Sequence, residues 1–209
     1  MTGRRPLICA HRGASRRHPE NSMAAFAAAI AMGADMIETD VRRTRTGRIV
    51  LAHDPLHGDL GDGLPSLTDL VRLAAGRIPL DVELKEPGYV ADVLAALDPR
   101  PPGLVVTSFL PEVVAEARAL DPALETGLIF HPDDRDDLLD RAADCGAGTV
   151  VAHVNALDAE LAEAMLESGR PLMVWTVNKR RQLASVMAVP AVTHVVTDVP
   201  DVALAIRGG

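Results

Sequence analysis

The chain has 209 residues, 48% hydrophobic and 24% charged, enough for one packed core under an ordinary polar surface. Its 29 acidic against 21 basic residues give a formal charge of −8, which argues against a nucleic-acid binder or a binder of anionic membranes, since both need a basic patch. Aromatic residues make up only 2%, so Leu, Val, Ile and Ala must build the core, and the single Trp175 stands out.

Short apolar runs alternate with segments of helical period along the chain. Leu7 to Ala10 reads as a first strand, followed by a helix from about Asn21 to Met32 that stops at Gly33. Met36 to Val41 is a second strand, and Arg48 to Ala52 forms a hairpin-like extension after the Thr46-Gly47 turn. A helix over Ser66 to Ala75 precedes strand three, Ile78 to Leu84. Tyr89 to Leu97 is helical and Gly103 to Phe109 is strand four. Pro111 opens a helix that runs to Leu120, and Thr126 to Phe130 is strand five. An acidic helix from Asp133 to Ala143 leads to strand six, Thr149 to Val154. Asp158 caps a helix that Gly169 ends, and Pro171 to Val177 is strand seven. Lys179 to Met187 is helical, His194 to Thr197 is strand eight, and a last helix starts at Asp201.

Eight strand-helix units are the count of a closed parallel (β/α)8 TIM barrel of the α/β class, expected here as one domain over residues 1–209. An open doubly wound sheet fits less well, because the glycine-rich phosphate turn of its nucleotide-binding form is missing after strand one. Cys9 and Cys145 show no metal-type spacing and read as reduced core residues. No apolar run reaches the length of an export signal or a membrane span, so a cytoplasmic protein without stable membrane insertion is expected.

Polar residues collect where buried strands should avoid them. Strand one ends in His11-Arg12-Gly13, and strand two carries Glu38 and Asp40 on one face. The extension ends at His53-Asp54. Strand three carries Glu83 and Lys85 on one face with Asp81 below them, and strand eight ends at Asp198. An inward carboxylate is costly unless it is paired or bound to a cation. Glu38, Asp40 and Glu83 on neighbouring strands therefore look like an oxygen-only site for a hard ion, Mg²⁺, Ca²⁺ or Mn²⁺. The alternative is an ion-pair network with Arg12 and Lys85. His11 and His53 abut this cluster and titrate in the range useful for proton transfer, whereas His18, His57, His131, His153 and His194 read as structural. Arg12 and Lys85 suit a phosphate clamp, and Lys85 could instead neutralise Glu83.

In order, His11-Arg12-Gly13, Pro19-Glu20-Asn21-Ser22, Glu38-Thr39-Asp40-Val41, His53-Asp54-Pro55, Glu83-Leu84-Lys85, Trp175-Thr176-Val177-Asn178 and Thr197-Asp198-Val199-Pro200 resemble the motifs of the glycerophosphodiester phosphodiesterase family. Each motif is weak alone, and the ordered set is specific. The resemblance implies a barrel that hydrolyses glycerophosphodiesters to glycerol 3-phosphate and an alcohol, with a small-molecule partner and a divalent cation. It implies metal ligation by Glu38, Asp40 and Glu83, acid/base roles for His11 and His53, and phosphate contacts from Arg12 and Lys85. Glu20 would brace the first loop and cap the following helix, or simply be a first-turn acid. Trp175 would be an apolar wall for the glycerol moiety, or a packing residue. Residues 55–68 resemble a shortened form of the family's cap insertion, which leaves the pocket more open and the alcohol undecided. Nor do these residues select the ion, a monomer or a small homo-oligomer, or water against a substrate hydroxyl as nucleophile. Two rival readings are a lysophospholipase D-like enzyme, for which the Gly- and Asp-rich 55–68 offers little apolar rim, and an inactive phosphodiester-binding barrel, against which every motif position is present.

Overall fold

Alternation along the strands determines what the sheet can do: successive side chains point to opposite faces, so a strand with two apolar faces must be covered on both. In the computed structural model, which describes residues 5–57, 60–133 and 137–208, these strands close on themselves. The elements are β1 Leu7–His11, α1 Met23–Met32, β2 Met36–Arg43, β3 Ile49–Leu51, α2 Leu67–Ala74, β4 Leu80–Leu84, α3 Val90–Ala96, β5 Val105–Ser108 and α4 Pro111–Leu120. There follow β6 Glu125–Phe130, α5 Leu138–Asp144, β7 Thr149–His153, α6 Ala159–Ser168, β8 Leu172–Trp175, α7 Arg180–Met187, β9 Val192–Thr197 and α8 Pro200–Gly208. β1 pairs in parallel with both β2 and β9, which closes an eight-stranded parallel barrel. β3 lies outside that count and pairs antiparallel to the end of β2, Val41 opposite Leu51, as the hairpin-like extension requires.

The outward faces of the first strands, including Ile37, Val41, Leu80 and Val82, pack under the helices with Phe26, Leu70 and Val93. Leu128, Val150, Leu172 and Val195 do the same on the other half of the barrel with Leu161 and Leu183. Inside, Cys9, Met36, Ile129, Val151, Met173 and Val196 form a separate plug. The inward face of β2 continues above Met36 as Glu38 and Asp40, which stand opposite Asp81 and Glu83 of β4. Both cysteines are buried and free.

Helix ends follow local chemistry. Ser22 Oγ accepts from Ala25 N at 3.1 Å to start α1, and Gly33 ends it in the left-handed conformation. Asp158 caps α6 and Gly169 closes it. Element ends differ from the expected ones by a few residues where turns compete with strands. Ile78 N bonds back to Ala74 O at 3.1 Å, which keeps it in the turn after α2, so β4 starts at Leu80. Val154 enters a 3-10 turn, Val154–Ala156, and does not extend β7. Residues 134–136 of the expected acidic helix lie outside the described residues, and its observed part starts at Leu138. Residues 58–59 of the 55–68 stretch, and residues 1–4 and 209 of the expected domain, also lie outside them. Among the described residues no helix is long and apolar enough to cross a membrane.

The loop after β1 is held tightly against α1. Arg12 and Gly13 both have positive φ, 55° and 81°, and a Cβ on Gly13 would sit 2.7 Å from the backbone carbon of Ala25. Gly13→Ala is therefore expected to destabilise the protein by about 2–4 kcal/mol, combining left-handed strain with a backbone clash. A urea midpoint within error of the parent would refute this account of the loop.

Candidate active site

The three acids predicted to share an ion come from two adjacent strands. Glu38 and Asp40 project from β2 and Glu83 from β4; all three are buried, and each offers an oxygen within 4.8 Å of the others. The chain neutralises them partly itself. Arg12 Nε lies 2.9 Å from Asp40 Oδ2, while Lys85 Nζ lies 2.8 Å from Asp40 Oδ1 and 2.5 Å from Glu83 Oε1. The Asp40 contacts to Arg12 Nε and Lys85 are close ion pairs without hydrogen-bond alignment. Glu38 Oε2 accepts from the Arg12 backbone N at 2.9 Å, and Glu38 Oε1 is buried with no hydrogen-bond partner among the described residues. Lys85 thus pairs with both Asp40 and Glu83, and Arg12 with Asp40, in the cavity wall.

Burial governs the protonation of these groups. It pushes Glu38 well above the usual carboxylate range, with the negative charge of Asp40 adding to the effect. Burial also lifts Glu83 to about 7 against the pull of Lys85, and it lifts Asp81 to about 7. Asp40 is equally buried, yet Lys85 and Arg12 hold it below its ordinary value. Four buried acids thus face two cations, and the raised acids can ionise together only against added positive charge, which suits a divalent ion. The all-carboxylate donor set and the unpartnered Glu38 oxygen fit a hard cation.

His11, at the end of β1, is oriented by a carboxylate. Its Nδ1 is 2.6 Å from Asp198 Oδ1, leaving Nε2 free 3.9 Å from Glu38 Oε2. Asp198 also accepts from Asn178 Nδ2 at 2.5 Å; despite its partial burial, the bond to His11 and the other donors keep it below the usual range. His53 follows β3, with Nδ1 2.9 Å from Asp54 Oδ1. Both imidazoles, with Arg12, Glu38, Glu83, Lys85 and Trp175, line one cavity of about 320 Å³; Asp40 sits fully buried behind it. The predicted residues are therefore all brought to one mouth.

Some residues with a place in that mouth were not singled out. Phe109 and His131 stack at 4.5 Å between ring centroids, and Trp175 meets the Phe109 ring edge-on at 5.5 Å. His153 meets Trp175 edge-on at 5.0 Å, and burial together with His131 lowers its basicity. Of the histidines read as structural, His131 thus belongs to the cavity's aromatic wall and His153 packs on Trp175; their positions at the ends of β6 and β7 were the available signal. Trp175 Nε1 donates to Val151 O at 3.3 Å, so it both packs and faces the cavity. Asn21 was also passed over as a site residue: it is buried, donates to Asp40 Oδ2 at 2.8 Å and accepts from Thr39 Oγ1 at 2.8 Å. Glu20 bonds Arg12 Nη1 at 2.9 Å and so braces the first loop, while the capping role expected of it falls to Ser22.

A closed parallel barrel with acids, imidazoles and cations at the C-terminal ends of its strands defines the class: a barrel enzyme with a candidate hard-cation centre. Residues 11–74 match the Glycerophosphoryl diester phosphodiesterase family. YhdW of Bacillus subtilis (strain 168), assigned as a glycerophosphodiester phosphodiesterase, is 31% identical over 233 residues, covering 93% of this chain and 95% of that protein. The glycerophosphodiester phosphodiesterase of Caldanaerobacter subterraneus subsp. tengcongensis is 26% identical over the same shares of the two chains. The chain belongs to the glycerophosphodiester phosphodiesterase family. Its fold is shared with an Oleispira antarctica phosphodiesterase solved in complex with the product sn-glycerol-3-phosphate, at TM-score 0.89, 20% identity and 98% coverage of each chain. It is shared too with a glycerophosphodiester phosphodiesterase of Agrobacterium tumefaciens str. C58, at TM-score 0.84 and 24% identity, covering 98% of this chain and 100% of that one.

Glu83 and Asp81 keep their protons to about pH 7 when folded, against ordinary values of 4.5 and 3.8 that apply once the chain unfolds. Between those values the unfolded chain binds fewer protons, so the metal-free fold should lose stability as the pH rises toward 7. Over the same window the affinity for Ca²⁺ or Mg²⁺ should climb by about tenfold per pH unit for each ligand proton displaced, from Glu83 and from Glu38, whose carboxyl is held still higher. Titration calorimetry and urea unfolding between pH 5 and 8 read both; a pH-independent affinity would contradict the assigned protonation.

Proposed function

We propose that the chain hydrolyses glycerophosphodiesters to glycerol 3-phosphate and an alcohol, with Glu38, Asp40 and Glu83 holding a divalent cation and His11 and His53 transferring protons. The observation that carries the reading is the meeting, at one cavity, of two imidazoles with three carboxylates within 4.8 Å of one another, Asp40 lying just behind the wall. Family membership supports the reaction class, and the product complex of the Oleispira antarctica relative supports glycerol 3-phosphate as the group released.

The residues divide the work by their surroundings. Glu38, Asp40 and Glu83 would hold a cation such as Mg²⁺, Ca²⁺ or Mn²⁺, which would supply Lewis-acid charge to the phosphate. Arg12 and Lys85 bring positive charge to the same phosphate from the cavity lining. With the Nδ1 proton of His11 donated to Asp198, its Nε2 faces the cavity with a lone pair ready to take or return a proton. His53 offers its own Nε2 from the more open side of the mouth, Nδ1 being engaged by Asp54. One imidazole takes the proton of the attacking hydroxyl as the new P–O bond forms. The other protonates the alcohol oxygen as the old bond breaks. The nucleophile is water or the glycerol hydroxyl next to the phosphate, and trapping of a cyclic phosphate distinguishes them. Trp175 gives the glycerol carbons an apolar surface. We further propose a single-domain, cytoplasmic enzyme of glycerol and lipid metabolism, monomeric or a small homo-oligomer, that takes small soluble substrates.

His11→Ala and His53→Ala are each expected to lower kcat by about two to four orders of magnitude, and near-parental turnover in either removes that histidine from the mechanism. A chelator should abolish activity, with Mg²⁺ or Ca²⁺ restoring it and monovalent salt failing to. The assay is a panel of glycerophospho-choline, -ethanolamine, -glycerol and -inositol beside a lysophospholipid; preference for the last would replace this reading with a lysophospholipase D-like one.

A further inference from the structure

The hydrogen-bond ladder between β2 and β3 stops at the mouth. Ala52 N still donates to Asp40 O at 3.0 Å, and one residue later the chain has left the strand. The carbonyl of His53 is met by a side chain instead: Arg42 Nε and Nη2 both donate to it, at 2.9 and 2.7 Å. The remaining arm of the guanidinium, Nη1, pairs with Glu86, the residue directly after Lys85. Arg42 is only 8% exposed, rare for an arginine that is not held by partners. The His53 ring, by contrast, bonds among the described residues only to its neighbour Asp54, whose side chain is 90% exposed. A ring with so slight an anchor takes its position from its backbone.

The same guanidinium reaches a second loop of the site. Tyr89 Oη donates to Val41 O at 2.8 Å and accepts from Lys85 N at 3.2 Å, so the turn after β4 is already tied to β2 beside Arg42. Arg42 therefore joins the segment carrying His53 to the segment carrying Lys85. We propose that Arg42 is a positioning residue that sets the His53 imidazole at the mouth by clamping the His53 carbonyl against the Glu86 turn. A planar fork is required, because a lysine ammonium cannot present two parallel donors to one carbonyl and a third to a carboxylate. The proposal rests on the assignment of His53 to proton transfer.

The experiment is a double-mutant cycle between Arg42→Met and His53→Ala in the metal-loaded enzyme, with amide hydrogen exchange over residues 52–54. Arg42→Met alone is expected to lower kcat roughly 10- to 100-fold at nearly constant KM, the span typical of residues that orient a working side chain. In the His53→Ala background it should lower kcat little further. Arg42→Lys should recover part of the loss, and added guanidinium should partly rescue Arg42→Met. Glu86→Gln, a change at a half-exposed residue that leaves the fold intact, should give a smaller loss in the same direction. A fall in kcat of the same size in both backgrounds, or no fall in either, overturns the clamp. If His53→Ala itself proves near-parental, the proton-transfer reading fails and exchange decides the clamp alone: faster exchange at 52–54 in Arg42→Met supports it, and unchanged exchange overturns it.

Discussion

Four carboxyl groups packed into the mouth of a barrel of low polarity are the constraint to which the rest of this structure responds. Glu38, Asp40, Asp81 and Glu83 are all buried, and an isolated buried carboxylate is too costly to persist. The surrounding chain is organised to keep them tolerable. Arg12 enters the left-handed region so that its backbone N–H reaches Glu38 while its guanidinium reaches Asp40. Lys85 bridges Asp40 and Glu83, and Asn21, also left-handed, donates to Asp40. Thr107 donates to Asp81 at 2.8 Å. These contacts leave more buried acids than cations, which couples the stability of the mouth to pH.

The cavity is asymmetric, charged on one side and apolar on the other. Its charged side is built by β1, β2 and β4, whose inward residues are acids or their partners. Its other side is built by the later strands and the loops that follow them, which contribute Phe109, Ile129, Val151 and Trp175. The apolar plug of Cys9, Met36, Met173 and Val196 beneath closes the floor.

Closure of the barrel also determines which distant residues cooperate. Asp198 reaches His11 across 187 positions of sequence because β9 pairs directly with β1, Ala10 opposite Thr197. The two hold each other: His11 keeps Asp198 ionised, and Asp198 fixes which imidazole nitrogen faces the cavity. Among the described residues His53 has no comparable carboxylate in a buried setting, which makes its backbone attachment to Arg42 the more important of its contacts.

Much of this was legible before any coordinates. The alternation of eight short apolar runs with helical segments pointed to the barrel, because eight units are its count and the glycine-rich turn of a nucleotide-binding doubly wound sheet is missing after strand one. The acids of β2 and β4 announced themselves because period-two alternation places Glu38 with Asp40, and Asp81 with Glu83, on faces where apolar residues belong. The hidden features depended on register and on the geometry of loops. A single histidine such as His131 looks the same whether it packs or lines a cavity, and only the meeting of β5, β6 and β8 placed it against Phe109 and Trp175. Nothing in the local pattern marks Arg42, whose partner carbonyl at His53 is brought to it only by the hairpin. Local pattern determined which faces were polar; the tertiary structure decided which polar groups met, since side-chain contact depends on strand neighbours that sequence order does not name.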